Sequence, residues 1–361
     1  MAPNDNVDIA RHLHPRRILI PVAIGLILII WIISRDVNVN VLREIVFTWK
    51  SLFWLLVSLF LVVARTFFYM ARIRILTNKD LTWIQSFRII MLWEFSSAIT
   101  PSTVGGTALA VIFLHKEGIT TGRSTAVTLV TSFLDELYFV VMLPVLVMMI
   151  GGKELFITSV SGTGPAFLNN LLFVALAGYG IILAWVLLVG YGLFINPSAI
   201  SKIIIAVFRL PGLKRWKDSA EKAGNDLIYS SMELKNESLS FWFKSLLTTF
   251  LTWTARYWVV NAILLAFFKI GDHLLIFARQ LVLWVMMIVS PTPGGSGFAE
   301  IILGRYIADL VPADPLHAGG VALAMALLWR FISYYPFLIA GVIIAPGWLQ
   351  RKFAKTSAGK S

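Results

Sequence analysis

The chain has 361 residues, of which 58% are hydrophobic and only 14% carry a charged side chain, and its mean hydropathy is +0.80. Soluble domains carry about 25% charged residues, so this composition excludes a soluble globular fold and indicates a multi-pass membrane protein. The formal net charge of +12 is typical of basic cytoplasmic loops that face anionic lipid, and we infer no nucleic-acid partner from it. The chain has no cysteine, which excludes disulfides and thiolate metal sites.

Six apolar segments are long enough to cross a bilayer core of about 30 Å as helices. In chain order they are Arg17–Ser34, Ser51–Ala71, Ser124–Ile150, Ala166–Ile195, Trp242–Phe268 and Ala318–Ala345. No small-residue cleavage site follows the first segment, so we interpret it as a retained span. Arg72, Arg74 and Lys79 make the loop after the second span basic. With the basic tails and central loop, they predict that both termini are cytoplasmic.

The central loop, about residues 196–241, contains apolar residues at three- and four-residue steps from Leu213 to Leu227, after the Pro211-Gly212 break. This periodicity predicts an amphipathic helix on the cytoplasmic membrane surface. A solvated connector is the alternative. Residues 346–361 form a basic cytoplasmic tail.

Two further apolar segments are interrupted by polar, helix-breaking stretches, Ser96–Thr107 and Ser290–Gly297. The flanking apolar limbs are Ile89–Ala98 and Thr107–Leu114 around the first stretch, and Leu281–Val289 and Phe298–Gly304 around the second. At 1.5 Å per residue each limb reaches about half of the bilayer core. Irregular backbone against lipid would leave its N–H and C=O groups without partners, so we predict two re-entrant hairpins whose tips are enclosed by protein.

The two hairpins occupy matching places in the chain. Arg65 precedes the tip residue Pro101 by nearly the same spacing as Arg256 precedes Pro291, and a full span follows each hairpin. The charge distribution makes the two arginine-bearing spans run in opposite directions, as in the inverted repeats of transporters. We therefore predict an all-α polytopic membrane protein of about six full spans plus two re-entrant helical hairpins. Residues 1–345 would form one domain, with repeat A at about 51–150 and repeat B at about 242–345.

Charges within spans are costly, so Arg65 and Arg256 are candidate functional residues, with snorkelling to an interface as the alternative. The amides of the tip glycines and the start of a half-helix after each tip attract phosphate or carboxylate, although tight packing of a turn would also explain the glycines. The predicted substrate-binding residues are Arg65, Pro101, Gly105, Gly106, Thr107, Arg256, Pro291, Pro293, Gly294, Gly295, Gly297 and Glu300.

Four further charged residues are candidates for gating: Glu94, Asp135, Glu136 and Arg330. Asp135 and Arg330 lie near the middle of corresponding spans, so we predict an ion pair between them that biases inward- and outward-open states. A purely stabilising pair is the alternative. Glu94 and Glu300 flank the two tips, where each would bind a proton, a cation or a hairpin N–H group.

The stretches Thr100–Gly106, Phe113–Ile119 and Pro291–Glu300, together with Asp135, resemble the family of the lysylphosphatidylglycerol synthase transmembrane region, which are flippase-like proteins of the UPF0104 type. The resemblance implies a multi-pass protein of the bacterial plasma (inner) membrane whose relatives move an anionic or aminoacylated phospholipid between leaflets. Many relatives carry charged residues where this chain has Thr103 and Gly106. The sequence contains no synthase domain, so we do not expect lysyl transfer.

We therefore predict a lipid flippase for an anionic or aminoacylated phospholipid or a polyprenyl-phosphate lipid, without cofactor or metal. No common catalytic motif is present, so we do not expect an enzyme. One alternative is a membrane glycosyltransferase or other lipid-modifying enzyme with Glu94 or Glu300 as its ionisable group. Another is a non-transporting anchor for a separate lipid-modifying enzyme. A second copy of the chain is a further expected partner.

Overall fold

A computed structural model of the chain describes residues 47–100, 103–156, 171–207, 217–287, 295, 297–312 and 318–358. Every regular element in these residues is a helix, which confirms the predicted all-α fold. The predicted first span, Arg17–Ser34, lies outside the described residues.

The helices are numbered here in chain order. They are α1 (Trp49–Leu76), α2 (Trp83–Ile99), α3 (Thr103–Lys116), α4 (Thr121–Ile150), α5 (Gly152–Phe156), α6 (Leu171–Gly190, followed by a π-helical turn, Tyr191–Ile195), α7 (Pro197–Val207), α8 (Lys217–Lys235), α9 (Leu239–Phe267), α10 (His273–Met287), α11 (Phe298–Ile307), α12 (Ala318–Ser333) and α13 (Tyr335–Ala358). Five stretches among them are long and apolar enough to cross a membrane: α1, α4, α6 with its π-helical turn, α9, and α12 together with most of α13. The chain is a polytopic membrane protein.

Helices α1 and α9 pack side by side in opposite directions. At one end the Ser51 hydroxyl donates to the carbonyl of Ala266 (2.7 Å), and at the other end Arg72 Nη1 donates to Thr249 Oγ1 (2.9 Å). The start of α1 therefore lies beside the end of α9. This is the arrangement that the predicted inverted repeats require, because α1 would open repeat A and α9 would open repeat B.

Each antiparallel partner is followed by a hairpin: α2 and α3 after α1, and α10 and α11 after α9. The limbs are longer than predicted. Helix α2 begins at Trp83, six residues before the predicted limb, because Thr82 and Gln85 form a capping box at its start, which satisfies otherwise free backbone N–H groups. Helix α10 begins at His273 because its polar residues Arg279 and Gln280 are buried against protein, so they do not end the helix at the lipid boundary.

The open ends of the two hairpins are tied at opposite ends of the helix pair. Near the end of α1, Gln85 Nε2 donates a hydrogen bond to Glu117 Oε2 (3.2 Å). The same oxygen forms an ion pair with Lys352 Nζ of α13 (2.8 Å). Near the end of α9, Arg279 of α10 makes two hydrogen bonds to Asp309, of 2.6 and 2.9 Å. The hairpins therefore enter the protein from opposite sides.

The predicted amphipathic segment of the central loop is helical from Lys217 onward, as α8. Helix α8 packs against the start of α4 so closely that a Cβ atom added to Gly122 would lie 2.1 Å from the Cβ of Asp226. The segment is therefore docked on the helical bundle, which argues against a solvated connector. Its position on a membrane surface stays a prediction.

The predicted last span lies within one apolar stretch, Ala318–Lys352, which has a turn at Tyr334 between α12 and α13. Pro336 lies two residues further on and lacks a backbone N–H group, and its ring would clash with the carbonyl of Ile332 in a continuous helix. The Tyr334 hydroxyl donates to the carbonyl of Ala98 at the end of α2 (3.0 Å). The turn therefore places an aromatic side chain at the tip of the first hairpin.

Candidate functional site

A cavity of about 190 Å³ lies between the two hairpins, and Thr100, Thr107 and Gly295 line it from the described ends of their limbs. Arg65, Asp135 and Arg256 line it from near the middle of α1, α4 and α9, so it lies at the depth of the centre of the spans. The complete lining is Arg65, Tyr69, Trp93, Glu94, Ser97, Ala98, Thr100, Thr107, Ser132, Asp135, Glu136, Thr252, Trp253, Arg256, Trp284, Met287, Gly295, Trp329, Arg330, Ser333, Tyr334 and Phe337. Three arginines and three carboxylates thus line one cavity.

Asp135 accepts four hydrogen bonds and belongs to the wall of the cavity. Arg72 donates to both of its oxygens, at 2.5 and 3.0 Å, the Trp253 indole donates at 2.6 Å and the Tyr69 hydroxyl donates at 3.2 Å. The Arg72 guanidinium also lies over the Tyr69 ring and is 1% exposed. Because every hydrogen-bonding direction of the carboxylate is used, Asp135 ties α1, α4 and α9 together.

The predicted ion pair between Asp135 and Arg330 is wrong. Asp135 pairs with Arg72, whereas Arg330 pairs with Glu300 of α11 through a hydrogen bond of 2.8 Å. The Arg330 guanidinium also lies over the ring of Tyr334. Both residues line the cavity. Each, however, pairs with a residue from its own half of the chain: Arg72 of α1 lies beside Asp135, and Glu300 of α11 lies beside Arg330.

Arg65 forms an ion pair with Glu94 of α2 and lies over the ring of Phe337 at 4.9 Å. Its side chain is directed into the protein and is 5% exposed, so it does not snorkel to an interface. Glu94 and Glu300 are therefore both held by arginines, Arg65 and Arg330. This makes each of them an ion-pair partner, and not the free ionisable group that the sequence suggested.

Arg256 differs from the other cavity arginines. Its guanidinium lies 5.2 Å from the ring centroids of both Trp253 and Trp284. Among the described residues it forms no ion pair or hydrogen bond with a side chain. Aromatic faces attract a cation but leave its N–H groups unused. Arg256 therefore presents a positive charge with unused hydrogen-bond donors to the cavity.

Three other polar atoms of cavity-lining residues are buried without a hydrogen-bond partner. Two are donors, Arg65 Nε and Trp284 Nε1, and one is an acceptor, Glu136 Oε2. Unpaired buried polar atoms are rare in native proteins and commonly mark the position of a water, ion or ligand. The unused donors, together with Arg256, form a site suited to an anionic group.

The predicted tip residues have different environments. Gly295 is buried at the cavity, and Gly297 precedes the first turn of α11; both have positive φ, at 66° and 80°. Thr107 also lines the cavity. Gly106, however, packs against α2, where an added Cβ would lie 2.0 Å from Ser97 Oγ, which supports the alternative of tight hairpin packing. Gly105 lies in α3, and its surroundings are outside the described structure, as are Pro101, Pro291, Pro293 and Gly294.

Sequence reasoning missed Arg72 and the aromatic residues Tyr69, Trp253 and Trp284. Arg72 was assigned to a cytoplasmic loop because Arg74 and Lys79 follow it. A signal was nevertheless present, since Arg65, Tyr69 and Arg72 recur at the four- and three-residue steps that place side chains on one helix face. In the described residues, no group of three or more His, Asp or Glu side chains is placed to hold a metal ion.

Two opposed helical hairpins around a charged cavity, within a set of long apolar helices, define the class of the protein: an all-α, multi-pass membrane protein. The sequence pattern described as the lysylphosphatidylglycerol synthase transmembrane region matches residues 18–341. The chain therefore belongs to this family.

A relative from Archaeoglobus fulgidus, described as a UPF0104 membrane protein, is 26% identical over 323 residues. The match covers 85% of this chain and 92% of the relative. No solved structure matches the chain.

Proposed function

We propose that the protein is a lipid flippase that binds the anionic headgroup of a membrane lipid in the cavity and moves it between leaflets. The observation that carries the proposal is Arg256, a cation at the centre of a span with no acidic partner among the described residues. An uncompensated charge at this depth is costly. A bound phosphate would offset that cost and would satisfy the unused donors Arg65 Nε and Trp284 Nε1.

The size of the cavity supports a headgroup and not a whole lipid as the bound part. A volume of about 190 Å³ accommodates a phosphate with a small polar substituent, while acyl or polyprenyl chains would remain in the bilayer. The family is named after a synthase of an aminoacylated phosphatidylglycerol, which favours a phospholipid as the cargo. A bacterial plasma membrane with both termini in the cytoplasm fits the charge distribution.

The opposed hairpins support alternating access as the mechanism. Each hairpin would close the cavity from one side. Its open end is held by polar contacts, which include Gln85 to Glu117 on one side and Arg279 to Asp309 on the other. Movement of one hairpin at a time would open the headgroup site to one leaflet and then to the other.

The test is translocation of fluorescent phosphatidylglycerol in sealed vesicles of phosphatidylethanolamine and phosphatidylglycerol containing the purified protein. We expect Arg256→Ala to lower the rate about tenfold or more, since a hydrogen bond to a charged group contributes about 1.5–3 kcal/mol. Arg256→Lys should retain part of the rate. Arg88→Ala is the matched control, because Arg88 lies on α2 outside the cavity lining. Equal rates in empty and protein-containing vesicles, for every headgroup tried, would contradict the proposal.

The enzymatic alternative requires a free ionisable group beside the headgroup. Glu94 and Glu300, which the sequence offered for this role, are held in ion pairs by Arg65 and Arg330. Neither of these two carboxylates is therefore free to act as the general base that transfer chemistry needs. Sugar transfer by the purified protein from a lipid-linked donor would instead support the enzyme.

A further inference from the structure

Glu136 is the one carboxyl of the cavity lining that lacks an arginine partner in the described part of the chain. Glu94 pairs with Arg65 and Asp135 pairs with Arg72. The Glu136 side chain lines the cavity, and its Oε2 atom is buried without a hydrogen-bond partner. No side chain of the described residues forms a hydrogen bond with the Glu136 carboxyl, so this group is available to bind a proton or another small cation.

Among the described residues, no cation forms an ion pair or hydrogen bond with Glu136. On its own helix the adjacent Asp135 is negative, and on α1 the nearby Arg72 and Tyr69 are committed to Asp135. On α9, Tyr257 is within electrostatic range, and its hydroxyl is also buried without a partner.

In the described residues, no charged group of the other helices packed against α4 forms an ion pair with Glu136. On α3 these groups are His115 and Lys116, both in its last turn, and on α5 they are Lys153 and Glu154. Helix α6 carries no charged side chain along its length. Two charged residues of α8 and α10 already have partners other than Glu136. Glu233 of α8 pairs with Arg123 near the start of α4, and Arg279 of α10 pairs with Asp309. Arg256 of α9 lines the same cavity, but forms no ion pair with Glu136.

A negative charge held in this position would be uncompensated. Removing an ionised carboxylate from water costs several kcal/mol even after relaxation, and intramembrane carboxyls of this kind commonly serve as proton sites. A neutral carboxylic acid avoids the cost and can release its proton when the cavity opens to water. The protonated form of Glu136 is thus suited to a closed cavity, and the ionised form is suited to a cavity open to water.

We propose that Glu136 is a proton-binding site that couples lipid movement to a proton gradient. The inference rests on the proposed flippase function and adds to it the driving ion. Glu136 binds a proton when the cavity faces the acidic side, the neutral side chain permits closure around the headgroup, and the proton leaves when the cavity opens to the other side.

Two measurements test this inference separately from the flippase proposal. The first is infrared spectroscopy of the purified protein in detergent as the pH is raised. The wild-type protein should show a carboxylic acid C=O band that disappears with rising pH and is absent from Glu136→Gln. The band should persist in Glu94→Gln, because an ion-paired carboxylate contributes no such band, and Glu136→Asp should restore it.

The second measurement is the leaflet distribution of fluorescent phosphatidylglycerol in vesicles with an imposed pH gradient. For one coupled proton, a gradient of one pH unit shifts the equilibrium ratio by up to about tenfold. Wild-type protein should show this shift and Glu136→Gln should not.

Identical infrared spectra for wild type and Glu136→Gln would overturn the proton site. Unchanged lipid distribution in both gradient directions, with translocation intact, would overturn the coupling and leave the flippase proposal standing. If Glu136→Gln loses only the transport of amine-bearing headgroups and the band is absent, Glu136 binds an ammonium group and the proton inference is wrong. If no lipid moves at all, the flippase proposal and the coupling both fail, and the infrared difference alone decides whether Glu136 binds a proton.

Discussion

Three carboxylates of this protein, Glu94, Asp135 and Glu300, form ion pairs with arginines on neighbouring helices. Asp135 accepts hydrogen bonds from Nη1 and Nη2 of Arg72 and another from the Trp253 indole. Burial makes such a pair weak evidence for net stabilisation, because desolvation offsets much of the attraction. Removal of one partner is a different matter, since the other charge is then left buried and unpaired.

We expect Asp135→Asn to destabilise the protein by about 3–5 kcal/mol, because Arg72 loses its counter-charge in a buried position. The measurement is the unfolding midpoint of purified protein in detergent. Glu233→Gln is the matched control, since its carboxylate is 61% exposed in an ion pair with Arg123, and exposed pairs contribute about 1 kcal/mol or less. Adding Arg72→Gln to Asp135→Asn should recover part of the loss. A loss no larger than that of Glu233→Gln would refute this account.

At the scale of helices, the hairpins depend on small residues at close contacts. Gly106 of α3 leaves no room for a side chain against Ser97 of α2, and Gly341 of α13 meets the ring of Phe95 with the same closeness. Small residues allow backbones to approach in a membrane, where packing and not the hydrophobic effect drives helix association. The two limbs of the first hairpin, α2 and α3, are therefore in direct contact.

We expect Gly106→Ala to lower the stability of the protein by about 1–3 kcal/mol, the usual cost of overpacking a close contact. Gly319→Ala is the control, because an added Cβ there meets no atom within 4 Å and alanine favours the helix. The measurement is again the unfolding midpoint in detergent. Equal midpoints for the two variants would show that the limbs can separate without cost.

At the scale of the whole molecule, the antiparallel packing of α1 and α9 determines the sidedness of the hairpins. The loop after α1 and the loop after α9 lie at opposite ends of this helix pair, as the contacts of Arg72 and Ser51 show. Asp80 and Asp272 are exposed residues in these two loops. The chain has no cysteine, so each position can be labelled alone.

We expect an impermeant maleimide to label Asp80→Cys and Asp272→Cys from opposite sides of sealed membrane vesicles. The positive-inside rule adds that Asp80→Cys is the cytoplasmic one, since Arg74 and Lys79 lie beside it. Permeabilised vesicles, in which both positions should react, provide the control. Labelling of both positions from one side would contradict the inverted arrangement.

Sequence patterns were sufficient for the features that the membrane itself imposes. The bilayer requires long apolar helices, encloses irregular backbone in protein and turns charges inwards. The all-α fold and the two hairpins were predicted on these grounds, and Arg65, Glu94, Asp135, Glu136, Arg256 and Arg330 were predicted as interior residues; all six line one cavity.

Tertiary structure alone decided which charges meet. The partner of Asp135 is Arg72 and not Arg330, because pairing depends on the rotation and depth of neighbouring helices, which the position of a residue in its own span does not determine. The same holds for the functional distinction within the cavity. Arg256 and Glu136 differ from the other charged residues of the cavity because they have no ion-pair partner in the described part of the chain. Whether a charged residue has such a partner depends on how α1, α4 and α9 pack together.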